Sequence, residues 1–174
     1  MNIKLLKKLH LYGTYKKFVL YRVNNTLAGT KEKNFEKKRK LLNSLDNFSL
    51  GEGTKVVGPL DVTGKLIVAR NCWVGKNFSV YGNGTVTIGD NCDIAPDVSF
   101  ITGDHQIGNT ERRAGKGIIN NISIGNGCWI GARTALYNNV GNSSIVGACA
   151  FVNKPIEDNV LVGGVPAKKI KDLV

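Results

Sequence analysis

An aliphatic or aromatic residue recurs every six positions along most of this chain. Val68, Val74 and Val80 open the register, Ile88, Ile94 and Phe100 continue it, and Ile124, Ile130 and Leu136 resume it after residues 106–117. A period of six matches neither the 3.6 of an amphipathic helix nor the 2 of a half-buried strand. It matches hexapeptide β-helix repeats, in which each hexad gives one short strand and a turn and three hexads close a coil. Such coils bury their apolar residues only against the coils above and below. The pattern predicts an all-β parallel solenoid.

The remaining hexad positions agree. Gly75, Gly89, Gly125, Gly131, Gly141 and Gly147 occupy the second position of their hexads as turn residues. The fifth position faces a narrow corner and holds Cys72, Cys92, Cys128, Thr134 and Ala150, with Cys149 one place earlier. The cysteines read as small buried hydrophobes, because free cysteine is among the most buried residue types. Their spacing contains no C-x-x-C pair, and no secretory h-region is visible, so a reduced cytoplasmic location is expected and neither zinc nor disulfides are.

Charge divides the chain at the repeat. Residues 1–45 carry 12 Lys and Arg against Glu32 and Glu36, while residues 46–174 carry 12 against 11, so the net +11 sits almost wholly in the first segment. There Leu5, Leu6, Leu9, Tyr12, Phe18, Val19 and Tyr21 predict one or two short amphipathic helices, broken near Gly13 and across residues 24–30. Phe35, Leu41, Leu42 and Leu45 predict a further helix capping the first coil, since terminal repeats need their open end covered. The organisation expected is a basic helical segment, 1–47, and a solenoid with a C-terminal cap, 48–174. A basic amphipathic helix can lie on anionic lipid or bind a partner, and it can equally be a solvated face packed beside the solenoid. No nucleic-acid motif accompanies the charge. No apolar run approaches the roughly 20 residues of a membrane span.

The interruption at 106–117 is the place to look for chemistry. Regular hexads have no need of it, it carries Glu111, Arg112, Arg113 and Lys116 away from the coil axis, and long loops on rigid scaffolds carry function. His105 stands at its root and is one of two histidines, the other being His10. Asp93, Asp97, Asp104, Glu111 or a backbone carbonyl could orient its imidazole, with Asp93 the leading candidate.

Four strings, IGDNCDIAP (88–96), VSFITGDHQIGNTERRAG (98–115), ISIGNGCWIGA (122–132) and LVGGVPAKKI (161–170), resemble the left-handed β-helix acyltransferases. The likeness is to sugar O-acetyltransferases similar to maltose and galactoside acetyltransferases and to polysaccharide-modifying relatives, and it covers residues 48–172. It implies a left-handed coil, a homotrimer with active sites between subunits, and acetyl-CoA as co-substrate with no metal. The family's catalytic histidine falls on His105, acting as general base on an acceptor hydroxyl that attacks the thioester directly. Coenzyme A would run past Gly131, Ala132, Gly147 and Ala148, with Lys154, Lys168, Lys169 and Arg133 toward its phosphates. Asn83, Arg112 and Arg113 would meet the acceptor.

The chain departs from the family at ALYNNVG (135–141), two residues short, and around NFSVYGNG (77–84), which lacks the acidic residue small-sugar members place there. With the Arg112–Arg113 pair and the basic first segment, this favours a polysaccharide precursor as acceptor, met at the inner membrane face. The alternatives are an N-acetyltransferase acting on an amino-sugar nucleotide, a serine O-acetyltransferase-like enzyme lacking that family's helical N-terminal domain, and a non-catalytic binding solenoid. A zinc enzyme resembling the γ-class carbonic anhydrases would need three histidine ligands.

Overall fold

All nine hexad residues that opened the sequence pattern are buried, from Val68 through Leu136. Each contributes about 1.5–3 kcal/mol on leaving water, so the stack of coils is a single apolar core cut into slices. The structure, a computed structural model, describes residues 3–174. The first coil runs through β1 (Phe48–Leu50), β2 (Lys55–Val56) and β3 (Leu60–Val62), and the second through β4 (Lys65–Val68), β5 (Trp73–Val74) and β6 (Phe78–Tyr81). The third holds β7 (Thr85–Ile88), β8 (Asp93–Ile94) and β9 (Ser99–Ile101), after which β10 (Gly103–Ile107) and β11 (Ala114–Ile119) leave the solenoid as an antiparallel hairpin. The fourth coil is β12 (Ile122–Ile124), β13 (Trp129–Ile130) and β14 (Ala135–Leu136), and the fifth is a bridge at Val140 with β15 (Ile145–Val146) and β16 (Phe151–Val152). At the far end β17 (Val160–Gly163) pairs antiparallel with β18 (Lys168–Asp172).

Strands stack into three walls: the first is β1-β4-β7-β12, the second runs from β2 to β17 and β18, and the third is β3-β6-β9-β14-β16. Pairing within the coils is parallel and in register, as in Val74 beside Ile94 and Ile94 beside Ile130. Coils approach closely where glycine allows it: a Cβ on Gly131 would lie 2.5 Å from the Ala148 amide nitrogen. Cys72, Cys92 and Cys128 are buried and free, their thiols donating to carbonyls of the next coil, whereas the offset Cys149 is exposed.

Every change in coil length falls at one corner, where the third wall returns to the first. Six residues separate Ile130 from Leu136 and Val146 from Val152, so the corner between second and third walls keeps its hexad. At the return corner, Val80 to Ile88 spans an additional pair of residues, Phe100 to Ile124 contains the hairpin, and Leu136 to Val140 is two residues short. The shortened ALYNNVG turn therefore leaves the corner of Gly131 and Ala132 intact.

Helices cover the first coil: α1 (Ile3–Lys8), α2 (Tyr12–Tyr21), a π-turn at Arg22–Thr26, and α3 (Glu32–Leu42). The first break lies at Leu9–Leu11, with His10 at φ +56°, and not at Gly13, which is inside α2. As expected, α3 caps the coil, with Phe35, Leu42 and Leu45 buried and the Phe35 ring 5.6 Å from Trp73. Its mechanism is specific. The Asn43 side chain bonds both the N–H and the C=O of Leu50 on β1, at 2.7 and 2.8 Å, and Asn24 does the same for Leu60 on β3, at 3.0 and 2.8 Å. Between them the buried Lys38 ammonium donates to Gly29 and Val57 carbonyls at 2.9 and 3.0 Å and sits 4.6 Å from the Phe35 ring. Three side chains thus satisfy the edge groups of the first coil, which unpaired would template aggregation.

Candidate functional site

The segment expected as a loop is a β-hairpin, and His105 lies within its first strand. Gly103, Asp104 and His105 pair with Ile119, Ile118 and Gly117, and the register slips before Ile107 meets Ala114. The hairpin springs from the return corner directly over the Gly82–Gly84 turn: Gly82 has φ +100°, and a Cβ there would stand 2.3 Å from the Gly103 nitrogen. Asn83 is therefore placed beside the root of the strand that carries His105. Arg112 and Arg113 are exposed at the other end, in the turn where the Gly108 N–H donates to the Arg113 carbonyl at 2.8 Å.

The imidazole is exposed and oriented by main chain. Its Nδ1 lies 2.9 Å from the Gly115 carbonyl oxygen. A carbonyl oxygen can only accept, so in the neutral ring Nδ1 carries the proton and Nε2 the lone pair. Asp104 is used locally, its Oδ1 accepting the His105 backbone N–H at 2.7 Å. Asp93, the leading candidate for orienting the ring, lies instead on the second wall, paired in register with Trp73 and Trp129. Among the described residues, the ring's hydrogen-bond partner is the Gly115 carbonyl.

Gly131, Ala132, Gly147 and Ala148, the residues named by the resemblance, lie together in the structure. They line a groove of about 470 Å³ together with Ala95, Trp129, Ile145, Val146 and Leu161. Ala95, Trp129, Ile145 and Leu161 were not foreseen. Their signal is positional, since each occupies an outward position on or beside a strand of the second wall. The lining is almost wholly apolar. Arg133 occupies the adjacent corner with φ +59°. Trp73 and Tyr137 are packing residues, against Phe35 and against Phe151 at 5.3 Å.

The lysines are less uniform than expected. Lys154 and Lys169 border a separate hollow with Pro155, Glu157 and Ala167. Lys169 is engaged by Asp172 at 2.5 Å and Glu157 at 3.8 Å, and the bond to Asp172 holds its ammonium pKa above the ordinary value. Lys168 is opposite Gly163 on β18 and forms no ion pair among the described residues. Lys154 and Lys168 are thus the lysines with charge to spare.

A second hollow, of about 420 Å³, lies where α2 and the π-turn meet the first coils. Leu20, Phe78 and Tyr81 give it apolar walls, and Asn24, Asp61 and Ser79 give it polar ones. Asp61 is a carboxylate that the sequence pattern did not single out, because it alternates with buried Leu60 and Val62 like any solvated strand residue. Among the described residues no group of three or more His, Cys, Asp or Glu side chains is placed to hold a metal ion. No described helix is long and apolar enough to cross a membrane.

Stacked hexad coils, an intact small-residue corner beside an apolar groove, and a hairpin carrying a histidine make this a hexapeptide-repeat solenoid. No family model matches the chain, but individual proteins do. It is 35% identical over 108 residues to a galactoside O-acetyltransferase of Escherichia coli K12, a match spanning 61% of this chain and 53% of that protein. It is 31% identical over 114 residues to a protein of the same organism named putative colanic acid biosynthesis acetyltransferase WcaF, covering 63% of this chain and 60% of that one. The chain thus spans little more than half the length of these relatives. A galactoside acetyltransferase solved with coenzyme A superposes with a TM-score of 0.75 at 27% identity, over 91% of this chain and 78% of that one.

Proposed function

We propose that this chain transfers an acetyl group from acetyl-CoA to a hydroxyl of a sugar or cell-surface polysaccharide precursor, as a homotrimer in which His105 of one copy serves the groove of the next. The observation that carries the chemistry is the Nδ1–H bond to the Gly115 carbonyl. It leaves Nε2 as a base of the right tautomer, exposed to a bound alcohol. As the acceptor hydroxyl attacks the thioester carbonyl, Nε2 takes its proton, and the Gly115 carbonyl steadies the imidazolium that results. Nε2 then returns the proton to the departing thiolate, giving an ester and free thiol. Negative charge developing on the carbonyl oxygen requires a fixed donor, a role open to a backbone N–H of a coil.

The trimer is what the family resemblance implies, and the geometry accords with a site shared between copies. His105 rises from the return corner, whereas the groove follows the second wall and its other corner, and His105 does not line it. A single chain keeps base and groove apart, and a neighbour's hairpin would join them. Gly131, Ala132, Gly147 and Ala148 then admit the pantetheine arm, Lys154 and Lys168 meet its phosphates as point charges, and Arg133 stands at the corner. Asn83, Arg112 and Arg113 face the acceptor side, where planar guanidinium groups suit hydroxyl-rich or acidic sugars. The likeness to a protein named putative colanic acid biosynthesis acetyltransferase supports a polysaccharide-related acceptor.

The test is release of free thiol from acetyl-CoA by purified protein offered galactosides, nucleotide-sugars, amino-sugar nucleotides, serine and oligosaccharides. Thiol release with a hydroxyl-bearing sugar, and an alkali-labile acetyl ester in the product, is the expected outcome. An alkali-stable amide would replace the proposal with N-acetylation, and serine as the sole acceptor would replace the sugar.

A further inference from the structure

Between residues 5 and 21 the described surface exposes large apolar side chains in unusual density. Leu9 is 54% exposed, Leu11 50%, Phe18 52% and Tyr21 63%, and Leu5 is similarly open. Along α2 and its N-cap, Leu11, Phe18 and Tyr21 are spaced by seven and three residues, which sets them on one side of the helix. The opposite side is already satisfied: Val19 and Val23 are fully buried, and Tyr12, Tyr15 and Leu20 pack on the core. A solvated helix has one apolar side, and this one has two. Leu9 extends the outer side into the turn between α1 and α2.

The surroundings of that outer side are all of one sign. No Asp or Glu precedes Glu32, whereas Lys4, Lys7, Lys8, Lys16, Lys17 and Arg22 lie within the same stretch. Asp46 is the carboxylate that reaches it, and Asp46 is taken up by Lys7 at 2.5 Å and by the Tyr12 hydroxyl. Lys8 and Lys17 are exposed and form no ion pair among the described residues, and the Arg22 guanidinium lies 5.8 Å from the Phe18 ring. Apolar side chains rimmed by unneutralised cations fit a phase that is apolar inside and anionic at its surface. A second copy of the same basic face would repel.

We propose that Leu9, Leu11, Phe18 and Tyr21, with Lys8, Lys17 and Arg22 around them, dock this protein on an anionic lipid surface. The apolar side chains enter the boundary between headgroups and acyl chains while the cations meet lipid phosphates. Docking of this kind is reversible and salt-dependent. It would hold the solenoid beside lipid-borne material, but it does not depend on the acetyl-transfer reading, and its test involves no turnover.

The full chain is sedimented with vesicles of phosphatidylcholine alone and of phosphatidylcholine mixed with phosphatidylglycerol, at low and high salt. Binding to the mixed vesicles only, weakened by salt, is expected. Replacing Lys8→Gln or Lys17→Gln should lower partitioning about fivefold each, and the pair Leu9→Ser with Phe18→Ser by about tenfold or more. All four positions are exposed, and far-UV circular dichroism establishes that the variants remain folded. Failure of the wild-type chain to sediment with anionic vesicles, or equal sedimentation with both kinds, overturns the proposal. So does wild-type-like binding by the Leu9→Ser, Phe18→Ser protein, and a smaller assembly in that variant would then assign the patch to contact between copies.

Discussion

Lys38 gives a prediction with a calculable size. Its ammonium is buried without a carboxylate, held by two carbonyls and the Phe35 ring, and burial pushes its pKa down to about 8 from the ordinary 10.5. Between those values the unfolded chain holds a proton that the folded chain has released, so folding stability must rise with pH across that window. A depression of two and a half pH units corresponds to roughly 3 kcal/mol. Below pH 8 both states are charged and the penalty is present in full. Lys38→Met removes the titration and leaves the Gly29 carbonyl without its donor, while Val57 keeps the Gly29 N–H at 2.9 Å. The informative quantity is the difference in urea unfolding free energy between wild type and Lys38→Met, followed by circular dichroism at fixed protein concentration across this window. Tyr12, whose pKa burial and its bond to Asp46 push up to about 12, lowers stability above pH 10, but equally in both proteins. The wild type should gain roughly 3 kcal/mol on the variant as pH rises. Parallel curves would mean that Lys38 titrates normally and that the cap holds no buried charge.

Two further predictions concern the cap and the base. Asn24→Ala removes both bonds to Leu60 and strands an edge N–H, so it should cost about 1–3 kcal/mol in the same urea assay and raise the tendency to aggregate. Asp93→Asn should leave turnover within about twofold of wild type in the thiol-release assay, because the His105 tautomer is set by the Gly115 carbonyl and not by a carboxylate. A large loss in that variant would return Asp93 to the orienting role.

The solenoid was legible because its code is local and repeated: each hexad aliphatic from Val68 to Leu136 is buried where the period put it. Departures from the period were equally legible as positions, yet not as structures. The hairpin is exposed on both sides, so Gly103–Ile119 lacks the alternation that announces a strand and reads as a loop. His105 was found by its place on that excursion, but its hydrogen-bond acceptor is a main-chain oxygen, which leaves no mark in the sequence. Gly13 drew the helix break that His10 makes, since glycine weakens a helix without ending it. The edge caps escaped notice for two reasons. Asn24 and Asn43 look like turn residues, and a fully buried lysine runs against ordinary burial preference. Asp61 and Trp129 needed the walls to be stacked before their neighbours were known.

The central claim is that a histidine on the hairpin, with its lone pair set on Nε2, deprotonates the acceptor. It is tested most directly by thiol release from acetyl-CoA with an active acceptor, comparing wild type with His105→Ala under saturating co-substrate. The account predicts a fall in kcat of about 10²-fold to 10⁴-fold with the Km for acetyl-CoA little changed. Turnover retained in His105→Ala would contradict it.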